Sequence, residues 1–568
     1  QLAQHLLDEC DPKVRLDDAR LDLMHRLRLA LIAEQRKQQH HQHQQHQPLL
    51  LQLHMQQRQS ADTVLDSGTT QSLLAWLECQ LKQHQQLSEY RTALLQLLQA
   101  VPGDCLASRS VTAGLAQQLL LSAGLTSAAA AAEESRHRHQ PDAGTAEDAQ
   151  SSLTCILTLL THTPLSAADA FCAEGILQGL IDRVRTFRDP CIGWEVKLAD
   201  IDVLDRVLRA MPSLAPMVYR NLDGFVYLME VIDLIISDCR PPRPLAQQEQ
   251  ALVCLVLRVL ASLAASNDRD NLTPDEEAHY LRLVSLVHDL LLMPPSLDRR
   301  PLLESCLEVL LTVPLIAFEE LTTPLEGTVD VACRFEDKNL SAVNSLVEFL
   351  RHCLREVTHE LPPTELTPSA ASSASSVGAC LAVLTEASIS QRSVRCFLRS
   401  LILPKHPHLP AASSSSTTSA AAAAGGGDID TEDESVTETE ANSLLSDLCR
   451  LISGGGLEGV GGASASGSCG SSSGLARQAG QLLFVLCKEN AAKVVRHTGL
   501  TQFPALVHSL QIPCHSTSPT ATASGSSLDA YSSDSSEEEI LDPEVSVATC
   551  CSQSRAATVR EKPGTDDS

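Results

Sequence analysis

The chain has 568 residues, of which 43% are hydrophobic but only 3% aromatic, and its formal net charge is −27. So acidic a chain is unsuited to nucleic acid or an anionic membrane surface as its main partner. A core built from Leu and Ala with few aromatic residues is typical of stacked helices rather than of β-sandwiches.

In chain order, the sequence alternates between helical stretches and low-complexity insertions. The chain begins at Gln1 rather than Met, which is typical of a chain without its natural N-terminus. Tracts rich in Gln, His, Ser, Ala or Gly bury too little apolar surface to offset the entropy of ordering, and they are predicted to be disordered. The predicted segments are an N-terminal helical segment at 1–36, a Gln/His-rich insertion at 37–66, helical repeats at 67–404, a disordered acidic insertion at 405–441, terminal helical repeats at 442–512 and a disordered acidic tail at 513–568. Shorter disordered insertions are predicted inside the repeats at 127–150, 366–376 and 453–474.

The N-terminal insertion contains a histidine tract. Its members His40, His41, His43 and His46 lie among glutamines, which is more typical of low complexity than of a metal site with fixed geometry. We therefore predict neither a metal nor a cofactor.

The helical stretches carry apolar residues at helical spacing and end at breakers. The clearest start is at Thr273, where a capping residue precedes Pro274 and Glu276 completes a capping box. Other helices are predicted at 151–162, 169–186, 195–211, 214–238, 245–265, 341–357, 377–388 and 391–402. Two or three helices in every ~40 residues favour an all-α, armadillo/HEAT-like helical-repeat superhelix. A compact helical bundle is the second interpretation.

Nineteen cysteines occur without a CxxC pair or zinc-site spacing. Several lie in apolar helical stretches and are expected to be buried thiols, namely Cys254, Cys306, Cys353 and Cys487. This usage predicts a reducing compartment. No transmembrane segment or signal peptide is predicted, so we expect a cytoplasmic protein.

The sequence contains no P-loop, HExxH or kinase motif, so a protein without covalent catalysis is expected. The acidic segments carry a different signal. Ser435, Ser535 and Ser536 each have Glu three residues later, the pattern that an acid-directed kinase such as casein kinase 2 recognises. The alternative is that these segments are only solubilising loops.

A basic stripe is predicted on the helix at 391–402. Arg392, Arg395 and Arg399 follow each other at spacings that place them along one helical face. Because guanidinium groups bind phosphate in a bidentate fashion, the stripe is a candidate docking site for a phosphorylated 531–539 segment. An ordinary solvated face is the alternative.

Several stretches together resemble the synembryn family. These are Leu381-Ala-Val-Leu-Thr-Glu386 with Arg392 to Leu398, then Leu483-Phe-Val-Leu-Cys-Lys-Glu489 with Arg496-His-Thr-Gly499, Tyr531-Ser532 with its acidic run, and Glu561-Lys-Pro563. The resemblance covers most of the chain from about residue 150, and its order is preserved.

This resemblance implies a guanine nucleotide exchange factor and folding chaperone for heterotrimeric G-protein α subunits (Gα). It implies an armadillo/HEAT superhelix whose concave groove takes the C-terminal helix of nucleotide-free Gα and promotes GDP release. The implied partner is Gα, GDP-bound or nucleotide-free. The implied protein is a monomer in the cytoplasm, or at the cell cortex beneath the plasma membrane with Gα.

Residues carried over from the family are candidates for Gα binding. Lys197 and Asp200 lie on a helix that matches a groove-forming one, and Lys493, Arg496, Thr498 and Gly499 surround a matching turn. An ordinary surface charge is the alternative for each charged residue. The sequence at 500–512 departs from the family, which keeps open a second function: a non-catalytic armadillo-type scaffold or adaptor without exchange activity.

Overall fold

The computed structural model shows an all-α protein. It describes residues 22–33, 36, 67–83, 88–101, 103–106, 111–125, 146–239, 243–269, 271–296, 298–325, 330–359, 368–403, 444–453, 470–501 and 503. The Gln/His-rich insertion at 37–66, the acidic insertion at 405–441 and the tail at 513–568 lie outside these residues.

The described helices are numbered here along the chain. They are α1 (22–33), α2 (Ser67–Gln83), α3 (Ser88–Gln99), α4 (Gly103–Leu106), α5 (Ala113–Ala123), α6 (Ala146–His162), α7 (Pro164–Ala173), α8 (Ile176–Arg185), α9 (Trp194–Ala210), α10 (Ala215–Arg220), α11 (Gly224–Asp238), α12 (Gln247–Ala265), α13 (Pro274–Leu292), α14 (Arg300–Leu310), α15 (Ser341–His359), α16 (Pro368–Ser390), α17 (Arg392–Ile402), α18 (444–453), α19 (Gly470–Leu486) and α20 (Ala491–Thr498). They form two compact units, one of residues 1–268 with 294–305 and one of residues 269–293 with 306–568.

In the first unit, helices that are three positions apart along the chain pack on one another. α3 packs on α6, α6 on α9 and α9 on α12, and shorter helices fill the space between. The core of this series is aliphatic, with Leu94, Ile156, Leu204 and Val256 fully buried. A three-helix period in which each repeat contacts its neighbours is the arrangement of armadillo repeats. The predicted all-α, armadillo-like repeat fold is confirmed, and the compact bundle is not.

Two predicted helices are each divided by a residue in the left-handed conformation. The predicted helix at 169–186 is two helices, α7 and α8, separated by Gly175 with φ 84°. The predicted helix at 214–238 is α10 and α11, separated by Asp223 with φ 53°. Apolar residues continue at helical spacing through both breaks, so periodicity alone predicted one helix where the structure has two.

In the second unit, α15 packs on α16, α16 on α17 and α19, and α19 on α20. The predicted capping box opens α13: Thr273 accepts a hydrogen bond from the Glu276 amide, and Glu276 accepts one from the Thr273 amide. A small antiparallel sheet, which the sequence did not predict, joins β1 (Thr323–Pro324), β2 (Arg334–Phe335) and β3 (Lys338–Asn339) in the order β1-β3-β2. Its two-residue strands are too short to show alternation.

Three predicted disordered insertions are partly helical. The prediction of a disordered insertion at 366–376 was largely wrong, because α16 begins at Pro368. The Ser373 hydroxyl of this helix donates a hydrogen bond to Glu356 of α15 at 2.8 Å. Residues 146–150 belong to α6, and 470–474 belong to α19. Ala is the strongest helix former, and small side chains let helices approach closely, so composition alone misled the prediction.

Among the described residues, two helices, α12 and residues 372–390 of α16, are long and apolar enough to cross a membrane by length and composition. The sequence prediction had excluded such a stretch. In each case 61% of the apolar window is buried inside the protein.

Candidate partner-binding cleft

An open cleft in the first unit lies between the end of α8, the turn that follows it, and α11. The cleft has a volume of about 240 Å³ and is open to solvent, so it offers a shallow surface for part of a partner rather than a pocket that encloses a ligand. Its apolar lining comes from Val184, Phe187, Val231 and Leu234, and its polar lining from Arg185, Thr186, Arg188, Asp189, Tyr227 and Glu230.

The turn at 186–193 is held by local hydrogen bonds. The Thr186 amide donates to the carbonyls of Arg183 and Val184, and so ends α8. Asp189 Oδ1 then accepts from the Cys191 amide at 2.8 Å, an Asx-type turn. These bonds direct the chain into α9 and present Phe187 and Arg188 at the cleft.

Aromatic and cationic side chains contact each other around Phe187. The Trp194 ring meets the Phe187 ring edge-on, with 6.1 Å between centroids. Lys197 Nζ lies 4.7 Å from the centroid of the Phe187 ring, and Arg185 lies 5.8 Å from that of Tyr227. Burial lowers the pKa of Lys197, against the opposing effect of Asp189. Lys197, a predicted Gα-binding residue, therefore supports the aromatic wall of the cleft.

Asp200, its predicted companion, lies inside the protein. Only 3% of the residue is exposed, and Oδ1 lies 3.0 Å from Nη2 of Arg183, without hydrogen-bond geometry. Burial raises the pKa of Asp200 to about 7, although the Arg183 guanidinium opposes the shift, and burial lowers the pKa of Arg183. The expectation that Asp200 contacts a partner directly is corrected: it joins α9 to α8 below the cleft.

This pair predicts a distinctive pH dependence. The pKa of Asp200 is higher in the folded chain than the value near 3.9 of an unfolded Asp, so the folded chain binds more protons between pH ~4 and ~7. The contribution of Asp200 to the free energy of unfolding therefore falls as pH rises through this window. The Asp200→Asn variant should gain stability relative to wild type between pH 5 and pH 8, by on the order of 2–4 kcal/mol.

Urea unfolding at the two pH values measures this gain. Asp202→Asn is the matched control, because Asp202 pairs with Arg206 at the surface, with 24% of its side chain exposed. Parallel pH profiles for wild type and Asp200→Asn would show that the buried carboxyl does not titrate in this range.

The predicted turn near 499 has the expected geometry. Asn490 caps α20 by accepting from the Lys493 amide, and Gly499 ends it with φ 67°. Arg496 is exposed, Lys493 is half-buried, and the Thr498 hydroxyl donates to the Val494 carbonyl. Their binding of Gα stays a prediction.

The prediction of a basic stripe on α17 is wrong for one of its three arginines. Arg395 is 2% exposed and donates to the Ser388 carbonyl at 2.8 Å, because it lies on the helix beside the buried Leu398. Arg392 pairs with Glu336 at 2.9 Å. A solvated stripe of three arginines is therefore not formed.

Arg399 instead joins the cations of α20. Burial lowers the pKa of His497, and Arg399, Arg496 and Lys493 lower it further in that order. The structure thus brings Arg399, a predicted phosphate-docking residue, close to Arg496 and Lys493, two predicted Gα-binding residues. The sequence prediction had assigned them to separate sites.

The predicted phosphorylation sites Ser435, Ser535 and Ser536 and the histidine tract at 40–46 lie outside the described residues. Within the part of the chain that is described, no group of three or more His, Cys, Asp or Glu side chains could hold a metal ion. Cys306, Cys353 and Cys487 are buried as predicted, whereas Cys254 is only half-buried.

Four cleft residues were missed by sequence reasoning: Arg185, Phe187, Arg188 and Tyr227. A signal was available in Arg183-Val-Arg-Thr-Phe-Arg188, where three arginines surround an aromatic residue at the end of a helix. Tyr227 could not be associated with them, because it lies some forty residues further along the chain.

The fold and the cleft define a class: an armadillo-type helical-repeat protein with an aromatic and cationic cleft and, among the residues that the structure describes, no metal-binding cluster. The sequence profile of the Ric8 family, described as guanine nucleotide exchange factor synembryn, matches residues 106–409. This is more than half of the chain and includes the whole cleft. The chain belongs to the synembryn family.

The curated relatives are distant. Chaperone Ric-8A of Macaca fascicularis is 23% identical over 365 residues, which are 63% of this chain and 58% of the relative. Chaperone Ric-8A of Gallus gallus is 23% identical over 366 residues, which are 61% and 56% of the two chains. The chain thus spans somewhat more than half the length of the curated relatives it matches.

Among solved structures, the crystal structure of SYS-1 is 12% identical and covers 85% of this chain and 72% of that chain, with a TM-score of 0.39. The SYS-1/POP-1 complex matches to the same extent. A likeness at this level adds nothing to the assignment, which rests on the family profile and on the three-helix packing period.

Proposed function

We propose that this protein is a folding chaperone and guanine nucleotide exchange factor for heterotrimeric G-protein α subunits, and that the cleft at 184–234 takes the C-terminal helix of Gα. The observation that carries the proposal is the position of the cleft within the family match: residues 106–409 include every side chain that lines it.

The chemistry of the cleft suits an amphipathic helix. Apolar side chains of such a helix would pack on Phe187, Val231 and Leu234, while its polar groups meet Arg185, Arg188 and Glu230 at the rim. This is helix-in-groove recognition, in which a few apolar anchors supply most of the affinity.

Exchange would then follow from differential binding rather than from covalent chemistry. A Gα subunit whose C-terminal helix is bound in the cleft has lost that helix from its own core, and the nucleotide is held less tightly. A partner that binds the nucleotide-free state better shifts the population towards it by the difference in binding free energy. The protein itself then requires neither a cofactor nor a catalytic residue, and it acts as a monomer.

Phe187→Ala tests the proposal. The variant removes the aromatic anchor that Trp194 and Lys197 hold in place, so the dissociation constant for a synthetic Gα C-terminal helix peptide should rise about tenfold or more. Fluorescence anisotropy of the labelled peptide measures it.

Leu165→Ala is the control variant, because Leu165 is 68% exposed on α7 and does not line the cleft. Its affinity should equal that of wild type. Equal affinities for Phe187→Ala and wild type would contradict the placement of the helix in this cleft. Failure of the wild type to bind any Gα peptide would contradict the function.

We further propose that an acid-directed kinase such as casein kinase 2 phosphorylates Ser435, Ser535 and Ser536, each of which has Glu at the third following position. The protein is expected in the cytoplasm, and at the plasma membrane only through Gα. Mass spectrometry after incubation with the kinase tests the first statement; unmodified serines in all three peptides would exclude it.

A further inference from the structure

The turn that ends α8 carries a threonine surrounded by arginines. Thr186 lies in the stretch Arg183-Val-Arg-Thr-Phe-Arg188, with arginines three residues and one residue before it and another two residues after it. Thr186, Arg185 and Arg188 are exposed, and all three line the cleft. Within the described ranges, neither Arg185 nor Arg188 forms an ion pair with a carboxylate.

Arginines on both sides of a hydroxyl are the pattern that a basophilic protein kinase recognises, because carboxylates in the substrate groove of such a kinase pair with guanidinium groups. A substrate lies extended in that groove, so the last turn of α8 has to open. Helix ends open at a low cost in free energy. Arg183 opposes this opening only weakly: burial lowers its pKa, and its contact with Asp200 lacks hydrogen-bond geometry.

We propose that Thr186 is a phosphorylation site for a basophilic kinase, and that phosphate on Thr186 blocks the cleft to a partner. In the reaction, Thr186 Oγ1 forms a bond to the γ-phosphorus of ATP, and the bond from that phosphorus to the β,γ-bridging oxygen breaks. ADP leaves, and the hydroxyl proton passes to the catalytic carboxylate of the kinase. The effect on the cleft rests on the proposed function, whereas the modification itself does not.

A phosphate on Thr186 cannot keep the position of the hydroxyl. The hydroxyl donates to the Arg183 carbonyl at 3.1 Å, at the negative end of the α8 dipole. Phosphothreonine carries a charge of about −1.5 to −2 and its oxygens accept hydrogen bonds, so this carbonyl and the Asp189 carboxylate both repel it. We therefore expect the phosphate to turn towards Arg185 and Arg188, which offer guanidinium groups in the same cleft.

A phosphate held there would change the cleft in two ways. It offsets the positive charge of the two arginines, and it places a hydrated anion beside the aromatic ring of Phe187. An apolar side chain that enters the cleft would have to remove water from this anion, and burying a charge in this way is costly. Phosphorylation should therefore weaken the binding of any partner that packs apolar groups on Phe187.

The first experiment maps the modification. The full chain is incubated with ATP and the catalytic domain of protein kinase C, a basophilic kinase, and phosphate is located by mass spectrometry. Thr186 should be phosphorylated and Thr154 should not. Thr154 is the matched control within the same chain, because it is exposed on α6 and its hydroxyl donates to the Gln150 carbonyl at 2.8 Å, but no arginine flanks it.

A double variant tests recognition by the arginines. In Arg185→Gln, Arg188→Gln, Thr186 should be phosphorylated about tenfold more slowly than in wild type, because the groove of the kinase loses two charged contacts. Circular dichroism verifies that the double variant is folded.

The second experiment measures the effect on the cleft. Fluorescence anisotropy gives the dissociation constant of a labelled Gα C-terminal helix peptide before and after kinase treatment of the full chain. Phosphorylation should raise this constant about tenfold or more, and phosphatase treatment should restore it. Thr186→Val is the control, because kinase treatment should leave the dissociation constant of this variant at its own untreated value.

The outcomes separate this inference from the proposed function. Unmodified Thr186, or equal phosphorylation rates for wild type and the double variant, would overturn the inference. An unchanged dissociation constant in the chain phosphorylated at Thr186 would also overturn it, and the proposed function would stand. If untreated wild type binds no Gα peptide, the proposed function fails and blocking of the cleft fails with it, while the mass spectrum decides independently whether Thr186 is modified.

Discussion

The Asp148→Ala variant should lose about 3–5 kcal/mol of unfolding free energy, among the largest effects expected of a single substitution in this chain. Asp148 lies in the first turn of α6 and is fully buried. Its carboxylate pairs with Arg91 of α3 and accepts a hydrogen bond from the Thr92 hydroxyl at 2.7 Å. The substitution removes this ion pair from the Arg91 side chain, which is only 14% exposed.

The position of Asp148 explains why the effect should be large. α3 and α6 are successive members of the series in which every third helix packs together, so the lost interaction lies between two repeats. Chemical denaturation measures the change. The control is Asp202→Ala, which breaks a surface pair within one helix and should cost at most about 0.5 kcal/mol. A loss below about 1 kcal/mol for Asp148→Ala would contradict the burial of this pair.

Gly179→Ala should destabilise the first unit by about 3 kcal/mol. Gly179 is buried on α8, and a Cβ atom there would collide with the backbone carbonyl of Leu125, the residue that follows the C-terminal cap of α5. Because the obstacle is backbone rather than the end of a flexible side chain, α8 would have to move away from it. That movement would also displace Arg185 at the cleft.

The same substitution on α19 should have the opposite sign. A Cβ at Gly474 would meet no atom within 4 Å, and Ala is favoured over Gly inside a helix by about 1 kcal/mol. Gly474→Ala should therefore raise the free energy of unfolding of its unit. Equal effects of the two substitutions in urea titrations would contradict the close approach of α8 to Leu125.

Much of the fold could be predicted from the sequence, because helix signals are local. The capping box at Thr273 and the helix stop at Gly499 are each specified by residues within one turn, and both are confirmed. The exceptions also have local causes. The Ser/Ala composition of 368–376 resembles a linker, although Ser373 and Ser376 are buried against other helices.

The site was less accessible to sequence reasoning, because burial is set by tertiary packing. Asp200 and Arg395 are charged residues that the sequence assigned to exposed surfaces, but packing encloses both: Asp200 lies beside Arg183, and Arg395 donates a hydrogen bond to the Ser388 carbonyl. The cleft itself combines a turn near 187 with a helix around Tyr227. No local pattern associates two segments that distant.

The most direct test of the central claim is the rate of GDP release from purified Gα with and without this protein. The proposed function predicts faster release with wild type and with Leu165→Ala, and a marked loss of this acceleration with Phe187→Ala. Peptide binding without acceleration would favour an adaptor that has kept the fold. A release rate that the wild-type protein leaves unchanged would contradict the exchange function proposed here.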